Sequence, residues 1–250
     1  MKTVCVIPAR YASTRLPGKP LVLIGDKPMI RHVYERACLA GSIDQVIIAT
    51  DDERIERVAG QFGAAVVMTD PALPSGTDRV YAAIKEVDAD VIINLQGDEP
   101  FIEPRLLDQL AAMFGNPEVQ IATPVGPVSS YEELTDPNLV RVTRDIHGRA
   151  LYFTRATIPF LRDEPDKKKW PATVPFYKHI GIYAYRKEIL AQLTGLPPAM
   201  LEQAEKLEQL RFLENGYTIH TLVSDYKALS VDTEEDVKTA QKIITEIQEN

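Results

Sequence analysis

The chain has 250 residues, enough for one sizeable core, and its 45% hydrophobic and 26% charged residues are ordinary for a globular protein. The formal net charge of −8 argues against a nucleic-acid binder that relies on bulk attraction to phosphates, so any anion must be held by a local basic site. The only cysteines are Cys5 and Cys38, and we expect both to be core thiols in a reducing compartment. The N-terminal apolar run is too short for a signal peptide and nothing approaches a membrane span. We therefore expect a cytoplasmic enzyme with no nucleic-acid or membrane partner.

The first predicted element is the apolar strand Val4–Ile7, and the loop after it is the most informative segment. This loop carries the cations Arg10, Arg15 and Lys19, and the first acidic residue of the chain is Asp26. Its spacing matches neither Gly-x4-Gly-Lys-Ser/Thr nor Gly-x-Gly-x-x-Gly, which disfavours P-loop enzymes and dinucleotide oxidoreductases. We interpret the loop as a site for a polyanion, with a triphosphate as the main candidate and a solvated basic loop as the alternative.

Apolar strands then alternate with amphipathic helices. Further strands are predicted at Val46–Ala49, Ala65–Met68, Val91–Leu95 and Ile121–Val125, and helices at Pro28–Ala40, Asp52–Phe62, Asp78–Val87 and Pro104–Phe114. This alternation predicts an α/β fold with a mixed, mostly parallel, doubly wound sheet that helices cover on both faces. In such folds ligands bind at the carboxyl ends of the strands.

The pattern changes at about residues 136–185, which we interpret as a small antiparallel insertion in a single domain spanning residues 1–250. Strands are predicted at Val140–Thr143, Ala150–Thr154 and His179–Tyr185, with a hairpin turn at Asp145–Gly148 and an exposed loop at 161–178. A helix at Leu201–Asn215, a strand at Thr218–Val223 and a final helix at Thr233–Ile247 follow.

Two aspartates are candidates for a metal site. Asp98 follows an apolar strand beside the turn-forming Gly97, where a carboxylate can hold Mg²⁺ against the phosphates of a nucleotide. Asp232 precedes the capping-box pattern of Thr233 and Asp236, so it lies outside the helix and can complete a two-carboxylate clamp. For Asp98 a plain turn or cap role is the alternative.

Two further groups are candidates for substrate contacts. The segment Ser75–Arg79 has small polar residues that can accept a base or ribose, although Asp78 is equally suited to a helix N-cap and Arg79 to an ordinary helix position. A dispersed set downstream supplies cationic, hydroxyl and amide groups suited to an acidic sugar: Arg155, His179, Tyr183, Glu208 and Gln209.

Together these segments resemble the CMP-Kdo synthetases, the 3-deoxy-manno-octulosonate (Kdo) cytidylyltransferases. The matching segments occur in the same order as in the family, and they are IPARYASTRLPGKPL, ATDDERI, PSGTDR, NLQGDEPFI, ALYFTRATIP, HIGIYAYR, LEQLRFLENG and VDTEED. One departure is Ser230, where many members have glycine, and it leaves Asp232 intact.

The resemblance implies a nucleotidyltransferase fold of the Rossmann-like kind and a homodimer with part of the inserted strand region at its interface. It implies that CTP and Kdo give CMP-Kdo and pyrophosphate, with Mg²⁺ as cofactor, for lipopolysaccharide biosynthesis in a Gram-negative bacterium. The catalytic residues it implies are Asp98, Asp232, Lys19 and Arg10, of which the two aspartates hold the metal. The nucleotide-binding residues are Ala9, Arg10, Ser13, Arg15, Lys19, Ser75, Gly76, Thr77 and Arg79. The sugar-binding residues are Gln96, Arg155, His179, Tyr183, Glu208 and Gln209.

Two alternatives stay open. The sugar is either Kdo or a related acid such as 8-amino-Kdo or a sialic acid. The second alternative is a non-catalytic nucleotide-binding protein on the same fold, because a fold alone does not determine function.

Overall fold

The computed structural model describes residues 1–12 and 15–249. The chain forms two compact units, of which unit 1 comprises Met1–Ala112 with the segment from Ala228 onward, and unit 2 comprises Met113–Lys227. No helix in the described part of the chain has the length and apolar character needed to cross a membrane.

The strands, in chain order, are β1 (Thr3–Ala9), β2 (Leu23–Ile24), β3 (Lys27–Pro28), β4 (Gln45–Thr50), β5 (Ala65–Met68), β6 (Val91–Asn94), β7 (Ile121–Pro127), β8 (Arg141–Arg144), β9 (Ala150–Thr154), β10 (Tyr177–His179), β11 (Tyr183–Arg186) and β12 (Ile219–Val223). The helices are α1 (Met29–Cys38), α2 (Glu53–Gln61), α3 (Gly76–Ile84), α4 (Pro104–Ala112), α5 (Tyr131–Thr135), α6 (Trp170–Thr173), α7 (Lys187–Thr194), α8 (Met200–Glu205), α9 (Gln209–Glu214) and α10 (Glu234–Glu249).

Unit 1 is built on a parallel sheet with strand order β5-β4-β1-β6. Strands β1, β4 and β6 are buried almost throughout, as their continuous apolar runs predict. Asp52 caps the N-terminus of α2, where its carboxylate accepts the Arg54 N–H at 2.9 Å, and Ser75 caps α3, where its hydroxyl accepts the Asp78 N–H at 3.1 Å. The predicted α/β class and parallel strands are therefore confirmed, and the carboxyl ends of β1 and β6 share one edge.

Unit 2 is arranged around β7, which pairs antiparallel with β10 and β11 and parallel with β12. Antiparallel pairing continues through β10, β8 and β9. The predicted hairpin turn is confirmed, since the Asp145 N–H donates to the Arg149 carbonyl at 2.8 Å and Gly148 has a φ of +80°. The expectation that β7 continues the parallel sheet of the first half is wrong for its pairs with β10 and β11.

Two predicted elements are each broken in two. The strand expected at His179–Tyr185 is instead β10 and β11, separated by a tight turn in which the Ile182 N–H donates to the Ile180 carbonyl at 2.7 Å. The helix expected at Leu201–Asn215 is instead α8 and α9, and it is interrupted by Lys206, which has a left-handed φ of +56°.

Two burial expectations are corrected by the structure. Most of residues 162–169 are exposed as expected, but the segment 161–178 is not an exposed loop throughout, because Trp170 and Phe176 are buried in a small core with Val128 and Leu134. Cys5 is buried as expected, but Cys38 is exposed at the end of α1. The amphipathic pattern places Cys38 on the helix but does not determine which side of its last turn faces solvent.

Candidate active site

A cavity of about 350 Å³ lies in unit 1 at the carboxyl ends of β1 and β6. This is the edge at which α/β sheets bind ligands. Its walls come from the turn after β6, the segment before α10 and the loop after β1 that carries Arg10, Arg15 and Lys19, which we call the cationic loop. The lining residues are Pro8, Ala9, Arg10, Ala12, Arg15, Lys19, Pro20, Gln96, Gly97, Asp98 and Asp232.

Lys19 joins the two predicted metal-binding carboxylates. Its Nζ donates to Asp98 Oδ2 at 2.6 Å and to Asp232 Oδ1 at 2.8 Å, while Arg15 Nη2 lies 3.0 Å from Asp232 Oδ2. Burial alone lowers the pKa of Lys19, but the two carboxylates outweigh that effect and raise it. Lys19 therefore stays cationic, and the two carboxylates converge on one positive charge.

The turn after β6 positions Asp98. Gly97 lies against the end of β1, where an added Cβ would stand 3.2 Å from the Pro8 carbonyl oxygen, so this close backbone approach favours glycine. The Asp98 carbonyl in turn accepts the Val231 N–H at 2.9 Å. This bond ties the turn to the segment that carries Asp232.

Asp232 is held by the predicted capping box. The Asp236 carboxylate accepts the N–H groups of Asp232 at 3.0 Å and Thr233 at 2.8 Å, and Thr233 Oγ1 accepts the Asp236 N–H at 3.2 Å. Next to it, Val231 packs with Leu16 of the cationic loop in a buried core. Full burial of one such aliphatic side chain contributes about 1.5–3 kcal/mol, so the core holds the loop and the Asp232 segment together.

The cationic loop folds back on itself. The Gly18 N–H donates to the Tyr11 carbonyl at 3.1 Å, and Gly18 has a φ of +66° just before Lys19 begins a 3₁₀ turn. The Arg54 guanidinium stacks 3.3 Å from the Tyr11 ring centre. Arg10 Nη2 donates to the Leu73 carbonyl at 2.6 Å, which joins the loop to the segment before α3. Of the predicted loop residues, Ser13 lies outside the described part of the chain.

The segment Ser75–Arg79 lies outside the cavity lining and makes its contacts elsewhere in unit 1. Thr77 is buried and Arg79 is fully buried, with Arg79 Nη2 donating to Asp51 Oδ2 at 2.7 Å and Nη1 bonding Thr69. Among the described residues, the cavity lining includes no member of this segment. The nucleotide-binding role of Ser75, Gly76, Thr77 and Arg79 stays a prediction, and the structure shows Ser75 as the cap of α3.

Most of the predicted sugar-binding residues lie in unit 2. The rings of His179 and Tyr183 have centres 5.2 Å apart, and the Tyr183 hydroxyl oxygen is buried without a hydrogen-bond partner in the part of the chain described. Burial lowers the pKa of His179 to about 3. Burial, with added effects of the charges of Tyr185 and Glu208, raises the pKa of Tyr183 well above its usual value.

The remaining sugar-site candidates are placed differently. Gln209 is buried at the start of α9. The Arg155 guanidinium donates to backbone carbonyls, with Nε 3.2 Å from the Glu205 oxygen. Gln96 lies in unit 1, lines the cavity and donates to Asn94 Oδ1 at 2.9 Å.

Two residues were missed by sequence reasoning. Asp51 pairs with Arg79 directly after β4, and its position at a strand end was the signal that could have identified it. Thr123 contacts His179 and is the one hydroxyl-bearing residue in the run Ile121–Val125, a polar interruption that could also have been noticed.

The two aspartates fit a magnesium ion. Within residues 1–12 and 15–249 no group of three or more histidine, cysteine or acidic side chains could hold a metal. Mg²⁺ bound to a nucleotide needs only one or two protein carboxylates, because water and phosphate oxygens complete its octahedron. Asp98 and Asp232 already converge on one cation, so their geometry suits this arrangement.

The chain is similar to known cytidylyltransferases. A cytidylyltransferase family profile matches residues 4–221, so the class of this fold and site is cytidylyltransferase. A 3-deoxy-manno-octulosonate cytidylyltransferase of Cytophaga hutchinsonii is 50% identical over 236 residues, which cover 94% of each chain. Another protein of that name, from Bacteroides thetaiotaomicron, is 48% identical and 98% of each chain is covered. The chain therefore belongs to the 3-deoxy-manno-octulosonate cytidylyltransferase family, as the sequence resemblance predicts.

Solved structures agree with this assignment. A CMP:2-keto-3-deoxy-manno-octonic acid synthetase complexed with CTP has a TM-score of 0.92 and 41% identity, with 99% of this chain and 100% of the other covered. A cytidylyltransferase from Leptospira borgpetersenii has a TM-score of 0.65 at 18% identity and covers 98% of this chain and 87% of its own, which supports the fold alone.

Proposed function

We propose that the chain transfers CMP from CTP to 3-deoxy-D-manno-octulosonate, giving CMP-Kdo and pyrophosphate for lipopolysaccharide biosynthesis. The observation that carries this proposal is the convergence of Lys19, Asp98 and Asp232 in the cavity of unit 1. The names of the family relatives and the CTP complex of the similar structure support the two substrates.

The reaction is a direct displacement. The anomeric hydroxyl of Kdo attacks the α-phosphorus of CTP in line, the bond to the β-phosphate oxygen breaks, and pyrophosphate leaves with the electron pair. Such transfers need positioning and charge neutralisation rather than a protein nucleophile. Arg10, Arg15 and Lys19 line the cavity and supply positive charge to the phosphates.

Mg²⁺ is the proposed cofactor, with Asp98 and Asp232 as its protein ligands. When bound, the ion would neutralise phosphate charge and favour deprotonation of the attacking hydroxyl. Lys19 keeps the two carboxylates side by side and remains cationic, so the chain's own residues hold the ligands together. Arg15 neutralises the second oxygen of Asp232.

A cytoplasmic location and a homodimer are proposed alongside the reaction. The family resemblance supports a second copy of the chain as partner, with the inserted strands at the interface. In unit 2, Ile146 and Leu151 expose large apolar side chains on the β8–β9 hairpin, which agrees with that assignment. Light scattering of the purified protein should report twice the chain mass of 27.9 kDa, and a monomer mass would contradict the homodimer.

Pyrophosphate release tests the proposed function against its alternatives. The protein is mixed with CTP and Mg²⁺, and Kdo, 8-amino-Kdo or a sialic acid is supplied in separate reactions. We expect release with Kdo at the highest kcat/KM. A higher kcat/KM with another acid would reassign the substrate, and CTP binding without release in any reaction would favour a non-catalytic nucleotide-binding protein.

A further inference from the structure

The hydroxyl of Thr123, a fully buried residue of β7, has three polar neighbours in unit 2. Its Oγ1 lies 2.7 Å from the Ile182 carbonyl, 3.3 Å from the Ile180 carbonyl and 2.9 Å from His179 Nε2. A threonine hydroxyl has a single proton to donate. The Ile180 carbonyl already accepts the Ile182 N–H, so the short contact to the Ile182 carbonyl takes the proton.

The direction of the Thr123 hydrogen bond determines which ring nitrogen of His179 carries the hydrogen. Because the Thr123 proton is used on a carbonyl, the contact to His179 is a hydrogen bond only if Nε2 carries the hydrogen and donates it. Burial lowers the pKa of His179 to about 3, so the ring is neutral near neutral pH. A neutral imidazole protonated at Nε2 has an acceptor lone pair at Nδ1.

The surroundings of His179 suit a ligand rich in hydroxyl groups. Tyr183 lies against the ring, and its buried hydroxyl oxygen has no hydrogen-bond partner within the described residues. The negative charge of Glu208 also contributes to the raised pKa of Tyr183. A buried polar atom without a partner is costly unless a ligand or water satisfies it.

We propose that Thr123 is a positioning residue for the sugar acid, because it fixes His179 as the Nε2–H tautomer and leaves Nδ1 to accept a hydrogen bond from a substrate hydroxyl. The inference rests on the proposed function, since it takes the sugar acid as the ligand of His179. The same hydroxyl contacts the carbonyls on either side of Gly181, so it holds the turn between β10 and β11 that separates His179 from Tyr183.

The tautomer is measured first, on the wild-type protein without substrate. ¹⁵N spectra of the histidine rings are recorded between about pH 5 and 8, and His179→Gln assigns the signal among the 4 histidines. We expect a protonated Nε2 and an unprotonated Nδ1 at every pH. A ring protonated at Nδ1 would overturn the inference.

Steady-state kinetics with a matched pair of variants then test the consequence. Thr123→Val keeps the volume and removes the hydroxyl, and Thr123→Ser keeps the hydroxyl. We expect the KM for Kdo to rise about tenfold in Thr123→Val, the size expected for one lost hydrogen-bond constraint. The KM for CTP should change less than about twofold, and Thr123→Ser should restore the KM for Kdo.

An unchanged KM for Kdo in Thr123→Val, or an equal rise for both substrates, would overturn the positioning role. Circular dichroism and thermal unfolding of both variants establish that they are folded. If the wild type turned over no sugar acid at all, the proposed function would fail, whereas the spectrum of the wild-type ring separately decides whether Thr123 fixes His179.

Discussion

At the scale of single residues, Lys19 explains how two carboxylates stay close together in a partly buried cavity. Asp98 and Asp232 repel each other, and the ammonium between them compensates for that repulsion. Lys19, Asp98 and Asp232 expose between 18% and 32% of their side chains, so solvent screening is reduced and the charges act strongly on one another. Turnover should therefore depend on the charge of each member.

Asp98→Asn tests the carboxylate that follows β6. We expect kcat to fall on the order of 100-fold or more, because one anionic oxygen ligand is lost while the shape of the side chain is kept. Asp88→Asn is the matched control, since the Asp88 side chain is 94% exposed and does not line the cavity. Steady-state kinetics of both variants measures turnover, and circular dichroism checks that both are folded. Near-normal turnover in Asp98→Asn would contradict the assignment of Asp98 as a metal ligand.

His179 gives a prediction about pH. Burial lowers its pKa from 6.5 to about 3. Between these two values the ring is neutral in the folded protein and protonated in the unfolded chain. The contribution of His179 to stability is therefore complete above about pH 6.5 and is lost as the pH falls toward 3. Chemical denaturation of wild type and His179→Gln across this range should show a steeper acid decline for wild type, and parallel curves would contradict a ring that stays neutral in the folded protein.

At the scale of elements, the site depends on the contact between the ends of β1 and β6. Gly97 allows the turn after β6 to approach the Pro8 carbonyl, and both residues line the cavity. The capping box of α10 holds Asp232 from the other side. The end of β1, the turn after β6 and the start of α10 therefore position the two carboxylates through their backbone geometry.

Gly97→Ala tests this contact, with Gly60→Ala in α2 as the control. A Cβ at residue 97 would stand 3.2 Å from a backbone oxygen, whereas one at residue 60 has no atom within 4 Å. We expect Gly97→Ala to lower the melting temperature and weaken CTP binding, and Gly60→Ala to stabilise the protein by about 0.5–1 kcal/mol through helix propensity. Calorimetry of unfolding and of CTP binding measures both, and unchanged CTP affinity in Gly97→Ala would contradict the role of the close approach.

Some elements have local sequence patterns that predict them, and others depend on contacts between distant residues. Asp98 and Asp232 could be predicted because a strand end and a capping box are local patterns, and the structure brings both residues to Lys19. The break between β10 and β11 could not be predicted, because it coincides with a hydrogen bond from Thr123, 59 residues away from Ile182. Lys206 was missed because a left-handed conformation in a non-glycine residue has no local sequence signal.

At the scale of the whole molecule, an acidic chain places three cationic side chains together where anionic substrates are expected to bind. The net charge is −8, yet three of the residues lining the cavity are Arg10, Arg15 and Lys19. Their charge is nearly balanced by Asp98 and Asp232, so binding of a highly anionic triphosphate would gain from an added divalent cation.

Metal removal tests this charge balance. We expect EDTA to abolish turnover and Mg²⁺ to restore it, with CTP binding by calorimetry weakened in parallel. The reason is that the protein supplies only one net positive charge among these five side chains. Undiminished turnover in the presence of the chelator, after exhaustive dialysis, would contradict the two-carboxylate metal site.

The proposed reaction moves the α-phosphate of CTP onto the anomeric oxygen of Kdo. Phosphorus NMR of a reaction containing the protein, CTP, Mg²⁺ and Kdo follows this transfer. We expect the three CTP signals to be replaced by one sugar phosphodiester signal and by pyrophosphate in equal amounts. Persistence of the CTP signals, or their conversion to CMP or CDP without a sugar phosphodiester, would contradict the proposed transfer.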